Sequence, residues 1–287
     1  MTTNSYRTRI VRVLAALLAA TWMVASPPDA LAQVAPAGNA HPTGRSLSES
    51  GSITNPFGEP NAHLANDDRK PMTPEAKFEF ASRVDLSSLR GLAVFHNGRV
   101  KILDTLANET VHRLTGRRTY VEPRDGKSKQ SYNAIFTMLD LMIDPAYYAD
   151  KPLLHVNYLP LREEILVLAV AGERNAGTRE RWRQCTRVTP LMVRDHIGAL
   201  LDKHGDKPAF NRAFSELDES ARLWQMSVSN LLMVAPDSSE MAWKHLSLLP
   251  ADHGARRAAA EFGAAWRAGD ASKASAAAGR LAEELPK

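Results

Sequence analysis

From Pro208 to Val234 the chain sets Phe210, Phe214, Leu217, Leu223, Met226 and Leu231 at near-helical spacing, with Pro236 just beyond. Such a stripe predicts one long helix with a single core-facing side. Shorter stretches follow the same plan. Thr73-Pro74-Glu75 supplies an N-cap, a first-turn proline and an acid, which opens a helix to about Val84. Ser131 opens another, whose Ile135, Phe136, Leu139, Met142 and Ile143 form a stripe stopped by Asp144-Pro145. Pro152 to Val156 reads as extended, and Leu161 to Ala171 as a largely buried helix. Thr189-Pro190 begins a helix with Leu191, Ile197, Leu200 and Leu201 inward. An Ala-rich piece from Ala255 to Leu285, with Phe262 and Trp266 one turn apart, is interrupted at Gly269-Asp270. The expected fold class is therefore mainly α, over residues 73–287.

One stretch breaks that pattern. Asn97-Gly98 lies between two short alternating runs, and this dipeptide takes the positive φ values of a two-residue hairpin turn. Pairing across the turn sets His96 opposite Arg99, Phe95 opposite Val100, Val94 opposite Lys101 and Ala93 opposite Ile102. One face is then Ala93, Phe95, Val100 and Ile102, and the other Val94, His96, Arg99 and Lys101. Asp104 or Thr105 is placed to cap a following helix with Leu106, Thr110, Val111 and Leu114 on one side, and Gly116 ends it.

The N-terminus has Arg7, Arg9 and Arg12, an apolar stretch from Val13 to Ala25, and Ala30-Leu31-Ala32. These are the parts of a Sec-type secretion signal over residues 1–32, so a periplasmic destination is expected. An uncleaved anchor is the competing reading. Residues 33–72 are rich in Ala, Pro, Gly, Ser and Asn and read as a flexible linker. With 36 basic against 32 acidic residues, and three of the arginines in the leader, the rest is nearly neutral and lacks the concentrated charge that nucleic acid demands. Cys185 is the single cysteine, which excludes an intramolecular disulfide and a dithiol redox pair.

Catalytic signatures are scarce. His196 and His204 are eight apart, about 12 Å along a helix, too far for one metal ion. There is no Gly-x-Ser-x-Gly elbow, P-loop or dinucleotide fingerprint. Arg174, Arg179, Arg181, Arg183 and Arg187 form either a solvated loop or a surface for an acidic partner or lipid head groups. Trp224, Trp243 and Trp266 with Met226, Met233 and Met241 read as core, or as a wall for a planar ligand such as haem. The candidate binding residues are His96, Gly98, Arg99, Lys101, Asp104 and Thr105. Their cations either hold a carboxylate from outside or pair with Asp104 or Glu109 to fix the hairpin on its helix.

The stretch from His96 to Ala107 resembles the GR-[VI]-K-P-L-D-T-x-A-R signature in an extracytoplasmic region of membrane-bound cytochrome c assembly proteins of the System II type. Ser131 to Val156 and the Ala265-Trp266-Arg267-Ala268-Gly269-Asp270 segment resemble further parts of that region. Ile102 replaces the signature's proline and Asn108 its arginine. The resemblance implies an exported, non-catalytic accessory module that contacts membrane cytochrome c assembly proteins or apocytochrome c, meeting the membrane through those partners or an uncleaved anchor. Two alternatives stand beside it: a soluble haem-binding or haem-relay protein, and an unrelated exported enzyme.

Overall fold

The structure, a computed structural model, describes residues 55–58, 72–122, 129–170, 184–204, 207–229, 233–234 and 243–285, with positions 177, 180 and 182 besides. The expected secretion signal and most of the expected linker lie outside the described residues. Helix α1 spans Pro74–Arg83, and its Thr73 cap accepts from the Ala76 amide at 3.2 Å. Helix α2 spans Leu103–Thr115, α3 Ala134–Ile143, α4 Leu159–Ala169, α5 Pro190–His204, α6 Pro208–Ser229, α7 Gly254–Arg267 and α8 Ala271–Glu284. The fold is mainly α with a minor β part, as the spacing of apolar residues predicts.

Helix α3 is the centre. All ten of its residues are buried, with α2, α6 and α7 packed around it. An antiparallel hairpin of α7 and α8 closes one side, turned by Gly269 at φ 68° and recapped by Asp270, which accepts from the Lys273 amide. Alanines at 255, 258, 259, 274, 277 and 278 are buried and let these two helices approach closely.

Strand β1 (Ala93–His96) and β2 (Arg99–Ile102) form the expected hairpin in the expected register. They belong to a larger sheet ordered β2-β1-β7-β8, where β7 is Met233–Val234 and β8 Lys244–His245. Two small ribbons complete the β structure: β3 (Tyr120–Glu122) with β4 (Gln130–Tyr132), and β5 (Leu154–His155) with β6 (Arg187–Val188).

Several expectations need correction. The long helix ends at Ser229, not Val234, because Val234 pairs with Val94 at the open edge of β1. Met233 and Val234 gain a sheet ladder there, pairing with β1 and β8. Ser131 lies in β4, and the cap of α3 is Asn133, whose side chain accepts from the Phe136 amide at 2.8 Å. Neither Asp104 nor Thr105 caps α2. The Leu103 and Asp104 amides donate to the carbonyls of Leu92 and Arg90, so the loop before the hairpin satisfies that helix end. Helix α4 is half exposed: it buries Leu161, Ile165 and Leu166 but leaves Val167 59% exposed. Within the expected linker, Asn55 to Gly58 pack on the domain, with Phe57 fully buried.

Candidate functional site

The hairpin turns at Asn97 (φ 51°) and Gly98 (φ 73°), the mirror-image turn that matches strand twist. Nothing lies within 4 Å of where a Cβ on Gly98 would sit, so a substitution there meets backbone strain alone. Gly98→Ala is expected to lower stability by about 1–2 kcal/mol. Urea denaturation checks this, and an unchanged midpoint would show that the turn tolerates an L side chain.

Of the two ribbon faces, the one carrying Val94 and Lys101 is the more covered. Val94 is buried and Lys101 half-buried, whereas Val100 and Ile102 are 61% and 49% exposed. Phe95 stays partly covered because the Trp243 ring lies 5.6 Å from it, centre to centre. The side carrying Lys101 therefore lies toward α2, where Lys101 forms an ion pair with Glu109. Asp104 faces Arg90 at 3.8 Å and accepts from the Asn108 side chain at 3.2 Å, while the Asp104 carbonyl accepts from the same amide at 2.7 Å. Asn108, standing where the resembled signature has arginine, thus braces the first turn of α2. Arg99, Gly98 and Thr105 are exposed. His96 is half-buried with its Nδ1 enclosed and unbonded. Burial, and then the Lys101 charge, hold its imidazole below the usual pKa, favouring the neutral ring. The structure so brings Lys101, Asp104 and His96 to the hairpin–helix junction, and leaves Arg99, Gly98 and Thr105 at the solvent edge.

A second cluster escaped the sequence reading. Lys77 of α1 and Asp140 of α3 are 1% and 0% exposed and meet at 2.8 Å. Asp140 also accepts from the Tyr148 hydroxyl at 2.7 Å and from the Trp266 indole at 2.8 Å. Lys77 reaches Asp144 at 2.6 Å, and its ammonium stands 3.9 Å above the Tyr147 ring centre. The Tyr147 hydroxyl in turn donates to Glu122 at 2.7 Å, where Tyr132 also donates at 3.1 Å and Lys151 approaches to 3.5 Å. Burial, and then the carboxylates they bond, raise the Tyr147 and Tyr148 hydroxyls far above the usual range, so both stay protonated donors.

This network joins α1, β3, β4, α3, the turn after it and α7. Its chemistry is that of a satisfied polar core: each buried carboxylate has a cation and neutral donors, which is what makes such burial tolerable. One signal in the sequence points to it. Asp140 is the one charged residue of the Ala134–Ile143 helix, where only Thr137 is otherwise polar, and a charge there needs a partner. Lys77 gives no such signal, since a lysine between Ala76 and Phe78 reads as an ordinary surface cation. Two of the segments in the resemblance, around Ser131–Val156 and Ala265–Asp270, meet at the bond from Trp266 to Asp140. No known protein-family model matches this chain, and no curated protein matches it.

Proposed function

We propose that this chain is an exported accessory domain that works by protein contact in haem or cytochrome c assembly, with membrane assembly proteins or apocytochrome c as its partners. One observation carries the reading: Lys101 and Asp104 of the hairpin motif are engaged inside the chain, and beside the exposed Arg99 the hairpin turns an apolar face outward. Lys101 is paired with Glu109 and Asp104 with Arg90, while Val100 and Ile102 stand exposed beside Phe95 and Trp243. An exposed apolar face on an edge strand is a surface that soluble chains normally cover.

The occupant is a different protein rather than a second copy. A copy paired antiparallel through the same edge keeps each side chain on its face, so Lys101 would meet Lys101 or Arg99 across the seam. Like charges directly opposite destabilise a ladder. The test is affinity purification of the full chain from detergent-solubilised membranes, beside a Val100→Glu, Ile102→Glu variant. Haem-handling membrane proteins or apocytochrome c are expected with the parent chain and reduced at least about tenfold with the variant. Enrichment of neither would remove the proposal.

A further inference from the structure

Neither the hairpin nor the buried network uses Arg187, the last of the arginines that stand out in the sequence. It lies on β6 directly opposite His155 of β5. Paired residues of an antiparallel ribbon share a face, so the guanidinium and the imidazole project together. The His155 ring lies 2.7 Å from where a Cβ on Gly116 would stand, and the charge of Arg117, the next residue, acts on it. Arg162, early in α4, is tied to the same corner by a bond from its Nη1 to the Val156 carbonyl at 2.9 Å. Arg187 itself donates from Nη2 to the Val121 carbonyl at 2.7 Å and lies 5.4 Å from the centre of the Tyr120 ring.

Two features set this corner apart. Burial lowers the His155 pKa first, a backbone bond with Thr186 raises it, and the charges of Arg162, Arg187 and Arg117 lower it further. Four polar atoms here are also enclosed without a hydrogen-bond partner: His155 Nδ1, Arg162 Nε, Arg187 Nη1 and the Tyr120 hydroxyl. Buried polar groups are normally bonded, and cations gathered at one corner repel one another. An anion from outside answers both.

We propose that Arg117, His155, Arg162 and Arg187 form a binding site for a tetrahedral oxyanion of the phosphate class, either inorganic phosphate or a phosphate monoester. The donors come from four separate stretches: the turn after α2, then β5, α4 and β6. Groups arriving from several directions suit a tetrahedral anion, whereas a planar carboxylate is satisfied by one coplanar guanidinium fork. Arg117 is exposed and marks the mouth.

The test titrates the full chain with inorganic phosphate and, separately, with glycerol 3-phosphate, against acetate and chloride at matched ionic strength. Melting temperature and the His155 imidazole resonances are followed. A saturable rise in Tm with a saturable His155 shift is expected for at least one phosphate, and the tighter of the two tells whether the ligand is esterified. Arg187→Gln removes one donor but also the bond to Val121, so Arg117→Gln, with its exposed side chain, is the paired variant. Each is expected to weaken binding by about tenfold or more. No saturable response, an equal response to acetate, or unchanged affinity in both variants would overturn the site.

Discussion

Lys77→Met is expected to lower the unfolding free energy by about 3–5 kcal/mol, because it strips a buried carboxylate of its cation. Asp140 is fully buried and takes bonds from Lys77, Tyr148 and Trp266. Without the ammonium it keeps two neutral donors and a full charge away from water. Methionine fills the space of the lysine stem, so the loss reports the charge and not a cavity. The coupling separates this from a general packing effect. Adding Asp140→Asn to Lys77→Met removes the stranded charge while leaving one carbonyl acceptor in place, so the double variant should be more stable than Lys77→Met alone. Additive losses, or a Lys77→Met loss under about 1 kcal/mol, would show that the pair contributes little. Urea denaturation of both single variants and the double reads the result. Against a typical total of about 5–15 kcal/mol, the expected loss is a large share of what holds the domain together.

The same pair shows what a sequence carries and what it hides. Helix α1 was legible because Thr73, Pro74 and Glu75 are local signals, and local signals survive without tertiary knowledge. The hairpin was legible down to its register, since Asn97-Gly98 fixes the turn and the turn fixes the pairing. Its orientation was not. Val94 goes inward, among Leu139, Leu246 and Leu281, and Val100 and Ile102 go outward, a choice set by core residues far along the chain. Long-range pairing also ended α6 early, and two loop carbonyls did the work expected of Asp104 or Thr105 as a cap. Among the site residues, the Lys101–Glu109 pair was foreseen as one of two readings, because a long lysine at a strand end reaches a glutamate nearly two turns into the helix that follows. The Lys77–Asp140 and His155–Arg187 associations join residues 63 and 32 positions apart with no shared motif, and only the fold brings them together.

Phe57→Ala is expected to cost about 3–5 kcal/mol, although Phe57 lies in a stretch whose composition reads as linker. Its ring is fully buried, 5.8 Å from Phe262 and among Leu89, Leu139 and Leu281. Three polar bonds hold the segment in place: the Asn55 side chain donates to the Met142 carbonyl at 2.9 Å and accepts from the Phe57 amide at 3.0 Å, and Arg267 donates to the Phe57 carbonyl at 2.6 Å. Gly263 makes the seat possible, for a Cβ there would collide with the Phe57 carbonyl and side chain. Gly263→Val should therefore expel the same ring by another route. Each single variant should lose stability to a similar extent, and combining them should add little, since a side chain already expelled cannot be lost twice. A Phe57→Ala variant within about 1 kcal/mol of the parent would mean that the core closes without this segment. Simple addition in the double variant would mean that valine at 263 harms the α7–α8 hairpin rather than the docked phenylalanine. The composition of the stretch misleads because one large apolar residue among small and polar ones is enough to anchor it when a glycine on a helix opens the place.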